Sequence, residues 1–258
     1  MTSLVPSGVI TQGTLPGNYT FFNTGRVYDS IKVAVNGTYE DFTAKVSLIA
    51  LDSTKNGLSE DAGLLDAYVT YKMDNLSITG GKYLGWLGYE SFDSPNNAFI
   101  SYSQALYSSP YATGVKLDYA GDGFSTGVSV RDSQNGPGGS FFEGDGNFSD
   151  ELGYEAYVLY SGIENVTLFA GVGYEDVDNA DSVLTTDFWA SYKASEKLSF
   201  AAEFATLEDA TEASWLLQST YAVSEELSVS GRVTAINGKA FDAVGYGMCR
   251  RVAISSRI

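Results

Sequence analysis

The sequence contains no histidine, and among its 258 residues only one cysteine, Cys249. The first absence removes imidazole as general base, zinc ligand or haem ligand, so serine triads and HExxH metal sites are excluded. The second leaves no internal disulfide to form, and the cysteine count carries no information on compartment. Bases are scarce as well: 15 Lys and Arg stand against 32 Asp and Glu, a net charge of -17. Nucleic acid and anionic lipid surfaces both need clustered cations, and the only basic cluster here, Arg250, Arg251 and Arg257, lies in the last nine residues. No run approaches the roughly 18 apolar residues of a membrane helix. The start, MTSLVPSGVITQG, lacks a basic stretch followed by an apolar one. Met1 is therefore not expected to open a signal peptide; the segment is either mature or cut from a longer precursor.

What the chain has instead is an excess of Gly (28), Tyr (18) and Phe (14), with few Pro (5) and only 18% charged residues. That balance suits long strands and tight turns. Alternation with a period of two, not a helical period, runs through most of the sequence and predicts twelve strands over residues 26–240. Val27, Ile31, Val33 and Val35 share one face of the first. In the second, Phe42, Ala44, Val46, Leu48 and Ala50 alternate with Thr43, Lys45, Ser47 and Ile49. The third sets Leu65, Ala67, Val69 and Tyr71 against Asp66, Tyr68, Thr70 and Lys72, and the pattern recurs as far as Val233. Short connections (37–41, 73–75, 120–123, 161–165, 193–197, 222–226) alternate with long ones (52–62, 85–110, 132–150, 176–182, 207–213). One end of the sheet is trimmed and the other elaborated.

The two faces differ sharply in charge. Asp29, at a strand end, is the single charged residue on the apolar face, whereas the other face carries Lys32, Lys45, Asp66, Lys72, Lys116, Asp118, Arg131, Glu155, Glu175, Asp187, Glu203 and Arg232. A soluble sandwich would divide its faces in the same way. Three features favour a sheet that turns its apolar face to lipid. The strands are long enough to cross a bilayer, which takes about 9–11 tilted residues. Tyr71, Tyr119, Tyr160, Tyr192 and Tyr221 recur at the same strand end on the apolar face, as an interfacial girdle would; cross-strand aromatic pairing is the structural alternative. Short turns on one rim and long loops on the other are the asymmetry of outer-membrane barrels. The fold class expected is all-β, an antiparallel up-and-down transmembrane β-barrel of about twelve strands, or 12–16 if the chain is incomplete.

Beyond the hairpin rhythm, two segments, GGKYLGWLGYESFD (80–93) and YATGVKLDY (111–119), resemble the OmpL-like β-barrel porins of Gram-negative outer membranes. The resemblance implies a passive diffusion channel in the cell outer membrane of a Gram-negative bacterium. It brings no catalytic residues with it. Residues 1–25 read as an N-terminal segment, a cut first strand or a loop; 26–240 as the barrel; and 241–258 as an off-pattern tail. Barrel proteins usually finish in an aromatic-ended strand, while this chain ends Ser256, Arg257, Ile258, which suits either a truncated end or a native plug.

Candidate chemistry is sparse. The longest loop, 85–110, carries Trp86, Tyr89, Glu90, Phe92 and Asp93, and either folds inward to narrow a pore or stays external. Asp176, Asp178 and Asp181 lack the glycine and terminal glutamate of a calcium loop and read as solvated surface charge. The glycine-rich run 135–139 opens no helix and is a loop, not a phosphate cradle. Glu155 and Glu175, on neighbouring strands, could pair as a hydrolytic dyad, but a wet lumen makes them ordinary lining residues. The expectation is a porin and not an enzyme, with no cofactor or metal. Its partners would be the lipid bilayer and small hydrophilic solutes, with no nucleic acid and self-association left open. A non-conducting structural or adhesive barrel that binds through its long loops is the alternative, and a soluble β-sandwich binding module the third reading.

Overall fold

The structure, a computed structural model, describes residues 8–13, 20–22, 30–51, 62–91, 97–99, 111–133, 152–176, 182–208, 211–225, 227–238 and 242–252. Asp29, Phe92, Asp93, Asp178, Asp181, Arg257 and the run 135–139 lie outside the described residues.

Fifteen strands are described: β1 (Gly8–Gly13), β2 (Thr20–Phe22), β3 (Ser30–Tyr39), β4 (Phe42–Leu51), β5 (Ala62–Met73), β6 (Leu76–Leu84), β7 (Tyr111–Ala120), β8 (Phe124–Arg131), β9 (Gly153–Ile163), β10 (Val166–Glu175), β11 (Val183–Lys193), β12 (Leu198–Leu207), β13 (Thr211–Ala222), β14 (Leu227–Gly238) and β15 (Asp242–Val252). They form one antiparallel sheet in which β3 to β15 follow in chain order and β1 pairs with β15, joining the N-terminal strand to the last one. From β3 onward the strands run 8 to 12 residues, the span of a tilted membrane crossing. The turns at the trimmed end are tight: Glu40, Asp74 and Asn165 all take positive φ, and backbone bonds such as Lys72 N–H to Asp41 O close that rim.

The sheet is strongly curved, and residues 85–90 show why it must be. They leave β6 and reach a residue of β14, eight strands on, which in a flat sheet lies about 38 Å away at ~4.8 Å per strand. Six extended residues span only about 20 Å, and two long side chains add roughly 10 Å. The segment is a chord across the concave face.

That concave face is the polar one. Arg131 and Asp187 on it are 1% and 0% exposed, while Val35 and Leu217 on the convex face are 69% and 53% exposed. A water-soluble fold would bury the valines and leucines and expose the charges. Here the order is inverted, and the stability of the exterior depends on an apolar medium around it.

Three features depart from the sequence pattern. Leu65, which alternation assigns to the apolar face, is fully buried, because the β4–β5 register shifts between Ser47 and Leu48 and Leu64 takes the outward position. Among the described residues twelve of the fifteen strands (β3–β14) are those predicted. The extra three come from the two segments set aside as flanks. Residues 242–252 are no tail but β15, paired along its length with β14; small residues at Ala243, Gly245 and Gly247 blunt the alternation that would have revealed it. Within 1–25, residues 8–13 and 20–22 are strands of the same sheet.

Candidate pore constriction

Beyond β6 the chain turns inward at once. A Cβ on Gly85 would stand 2.8 Å from Nη1 of Arg131 and 3.0 Å from Oε2 of Glu155, so a side chain there would have to displace this ion pair. Gly88 takes φ 109°, a conformation L side chains rarely adopt, and bends the segment along the wall.

Four consecutive backbone N–H groups then donate to three carboxylates from three strands. Trp86 and Leu87 N–H donate to Oε1 of Glu155 on β9, at 2.7 and 2.9 Å. Gly88 N–H donates to Oδ2 of Asp187 on β11 at 2.6 Å, and Tyr89 N–H to Oε1 of Glu203 on β12 at 2.8 Å. Next along the chain, Glu90 pairs with Arg232 on β14, whose guanidinium lies 4.5 Å from the Phe99 ring. The segment is thus held through its backbone in a water-poor wall, where an unpaired carboxylate or amide would be costly.

Aromatic rings support the same path. Tyr157, Phe169 and Trp189 stand side by side on the concave face of β9, β10 and β11, with stacked centroids 5.8 and 5.1 Å apart. Trp86 packs on Tyr157 at 4.7 Å, and Tyr89 meets Trp189 edge-on at 5.5 Å. Gly127 and Gly171 leave room beneath Trp86 and Leu87; a Cβ at Gly171 would lie 2.4 Å from Leu87 Cδ2.

The twelve charged residues named from the sequence all lie on the described strands, but they divide into two groups. Arg131, Glu155, Glu175, Asp187, Glu203 and Arg232 are nearly inaccessible. Arg131 pairs with Glu155 at 3.3 Å and Glu175 accepts from the Ser133 hydroxyl, so the two members of the Glu155–Glu175 couple have separate partners. On β3 to β7 the groups are wetter. Asp66 is buried and takes Lys45 at 2.9 Å and Lys32 at 3.8 Å; its carboxylate accepts from the Ser47 hydroxyl and its own N–H donates to that hydroxyl oxygen at 3.1 Å, while side-chain exposure is 22% for Lys32 and 25% for Lys45. Lys116, 18% exposed, stands 3.9 Å from Asp118 and lies over the rings of Tyr83 and Trp86 at 5.0 and 5.1 Å. Lys72 is exposed near the trimmed rim.

Of the loop candidates, Trp86, Tyr89 and Glu90 are brought to the inner wall. Tyr119, Tyr160, Tyr192 and Tyr221 are exposed on the convex face near the short turns. Tyr71 stacks on Phe42 at 4.7 Å and Tyr119 contacts Phe124 at 5.8 Å, so cross-strand pairing accompanies the outward orientation. Phe169 and Trp189 were not singled out by sequence; the signal was there, as large aromatics in the polar phase of their strands. Asp176 is exposed, and among the described residues no three acidic or sulfur ligands converge on a metal position.

A sequence profile of the family described as Putative beta-barrel porin-2, OmpL-like, matches residues 30–245. The chain belongs to this family. The match runs from β3 into β15, and so spans the inward segment and all twelve inward charges of this OmpL-like porin. The fold is also that of solved porins. OmpF of Salmonella typhi, solved in complex with daunomycin, shares 12% identity over 94% of each chain, with a TM-score of 0.55. An anion-selective porin from Comamonas acidovorans shares 10% over 97% of each chain, with a TM-score of 0.54. A loop L8 deletion mutant of OmpT, an outer membrane protein of Vibrio cholerae, shares 11% over 96% of this chain and 97% of its own, at 0.51. No curated protein sequence matches the chain. Family and fold make it an outer-membrane β-barrel that crosses the bilayer with its strands.

Proposed function

We propose that this OmpL-like porin is a passive diffusion channel for small hydrophilic solutes and ions in the outer membrane of a Gram-negative bacterium, with no cofactor and no reaction. The observation that carries the reading is the inverted sheet. Its convex face is apolar and exposed, and its concave face holds a dozen charges, several of them still touching solvent. Lysines on a dry face would be nearly inaccessible, whereas a water-filled lumen hydrates them. Selectivity then comes from the width left beside the inward segment and from the charges that line it.

The narrowing by residues 85–90 also gives substance to a second reading, a barrel packed shut that acts through its outer loops. Planar bilayer recordings separate the two. Discrete conductance steps from the purified protein are the expected result; a protein that inserts and stays electrically silent would favour the closed barrel.

A further inference from the structure

The charges that a solute meets in this lumen are not the charges that the concave face carries. By composition that face is balanced, with six bases and six acids, which alone would give a lumen close to neutral. The fold removes most of the acids from the water path. Glu155, Asp187 and Glu203 are spent on the backbone amides of residues 86–89 and lie behind that segment, at 3%, 0% and 6% exposure. Glu175 is occupied by Ser133, and Asp66 is buried under Lys45 and Lys32. Arg131 and Arg232 are withdrawn along with them, paired to Glu155 and Glu90. Four lysines, Lys32, Lys45, Lys72 and Lys116, remain in contact with solvent, with Asp118 the accessible acid among them.

We infer that the channel prefers anions, in spite of the net charge of -17, because the inward segment covers the acidic wall and leaves a lysine-lined path along β3 to β7. The inference rests on the porin reading and names its solute class: small inorganic or carboxylate anions. Two effects oppose it, and magnitudes decide between them. Acids at the trimmed rim, among them Glu40, Asp41, Asp74, Asp122 and Glu164, are exposed and would gather cations at the mouth. They are surrounded by bulk water and screened over about 8 Å at physiological salt. The covered carboxylates keep their field, but each faces amide N–H donors on the side toward the water path, and direct lysine contact at a narrow point acts at shorter range in a lower dielectric.

Reversal potential in a planar bilayer under a KCl gradient tests this on the unmodified protein. The expected result is a chloride-to-potassium permeability ratio above one, shrinking toward one as salt approaches about 1 M, where screening falls to ~3 Å. Lys45→Glu with Lys116→Glu should lower the ratio severalfold and carry it through one. Lys45→Gln with Lys116→Gln, which adds no new charge to the wall, should lower it less. Clear conductance with cation preference in the unmodified protein would overturn the anion inference and leave the porin reading standing. So would a ratio above one that both double variants leave unmoved, since the lysines would then not set it. Absence of conductance would overturn the porin reading and this inference with it.

Discussion

Glu155 serves two partners at the point where the inward segment begins. One oxygen accepts the Trp86 and Leu87 amides, and the other faces Arg131, a guanidinium that is 1% exposed. Removing the carboxylate takes a partner from a buried cation and from two amides together. Loss of one partner of a buried pair costs about 3–5 kcal/mol, so Glu155→Ala should lower the urea midpoint of the detergent-solubilised or vesicle-inserted protein markedly. Glu155→Gln keeps an acceptor for the amides but not the charge, and its midpoint should fall between the two. Equal midpoints for Ala and Gln would mean that the amide contacts contribute nothing. The sequence presents Glu155 as one acid among six on its face and as half of a conceivable pair with Glu175, not as an anchor for the loop. Its partners lie 68 and 69 positions away in a loop with no periodic signal, and no spacing rule reaches that far.

At the scale of elements, what repeats could be read and what is irregular could not. β3 to β14 appear in the alternation because one face of each is exposed to an apolar medium and the other to charge. β15 escaped because its glycines carry no hydropathy, and the bulge at Leu65 escaped because a one-residue shift is invisible until the partner strand is known. The 85–110 connection was recognisable as a long aromatic loop, but its direction was not, since inward and outward loops need the same residue types. The path of residues 88–90 along the wall follows the backbone geometry at Gly88. A β-branched residue at φ 109° costs on the order of 1–3 kcal/mol, comparable to one of the loop's charge-assisted bonds. Gly88→Val should therefore pull Tyr89 and Glu90 off Glu203 and Arg232 while leaving the strands intact. Single-channel conductance is expected to rise, with noisier open levels, and strand content by circular dichroism should stay constant. Unchanged conductance would show that residues 88–90 do not bound the narrowest section.

For the molecule as a whole, the decisive property is which face is stable against which solvent, and one pair of substitutions on a single strand examines it. Leu217 stands mid-strand on the convex face of β13 and is 53% exposed; Tyr221, four residues on, lies at the trimmed end and is 48% exposed. In water the two positions would be alike, and an arginine at either would change stability by no more than about 0.5 kcal/mol. Across a bilayer they differ. An arginine at the midplane costs roughly 2–4 kcal/mol, falling to about 0–1 near the interface, where a long side chain can reach the headgroups. Leu217→Arg should thus reduce unfolding free energy in vesicles several times more than Tyr221→Arg, and the contrast should weaken in detergent micelles, which deform around a charge more readily than a bilayer. The gradient between the two positions also locates the interface along the strand, which is what a tyrosine girdle at Tyr71, Tyr119, Tyr160, Tyr192 and Tyr221 requires. Equal costs at both positions would mean that β13 does not run from midplane to interface over these four residues, and the girdle would have to be sought elsewhere on the convex face.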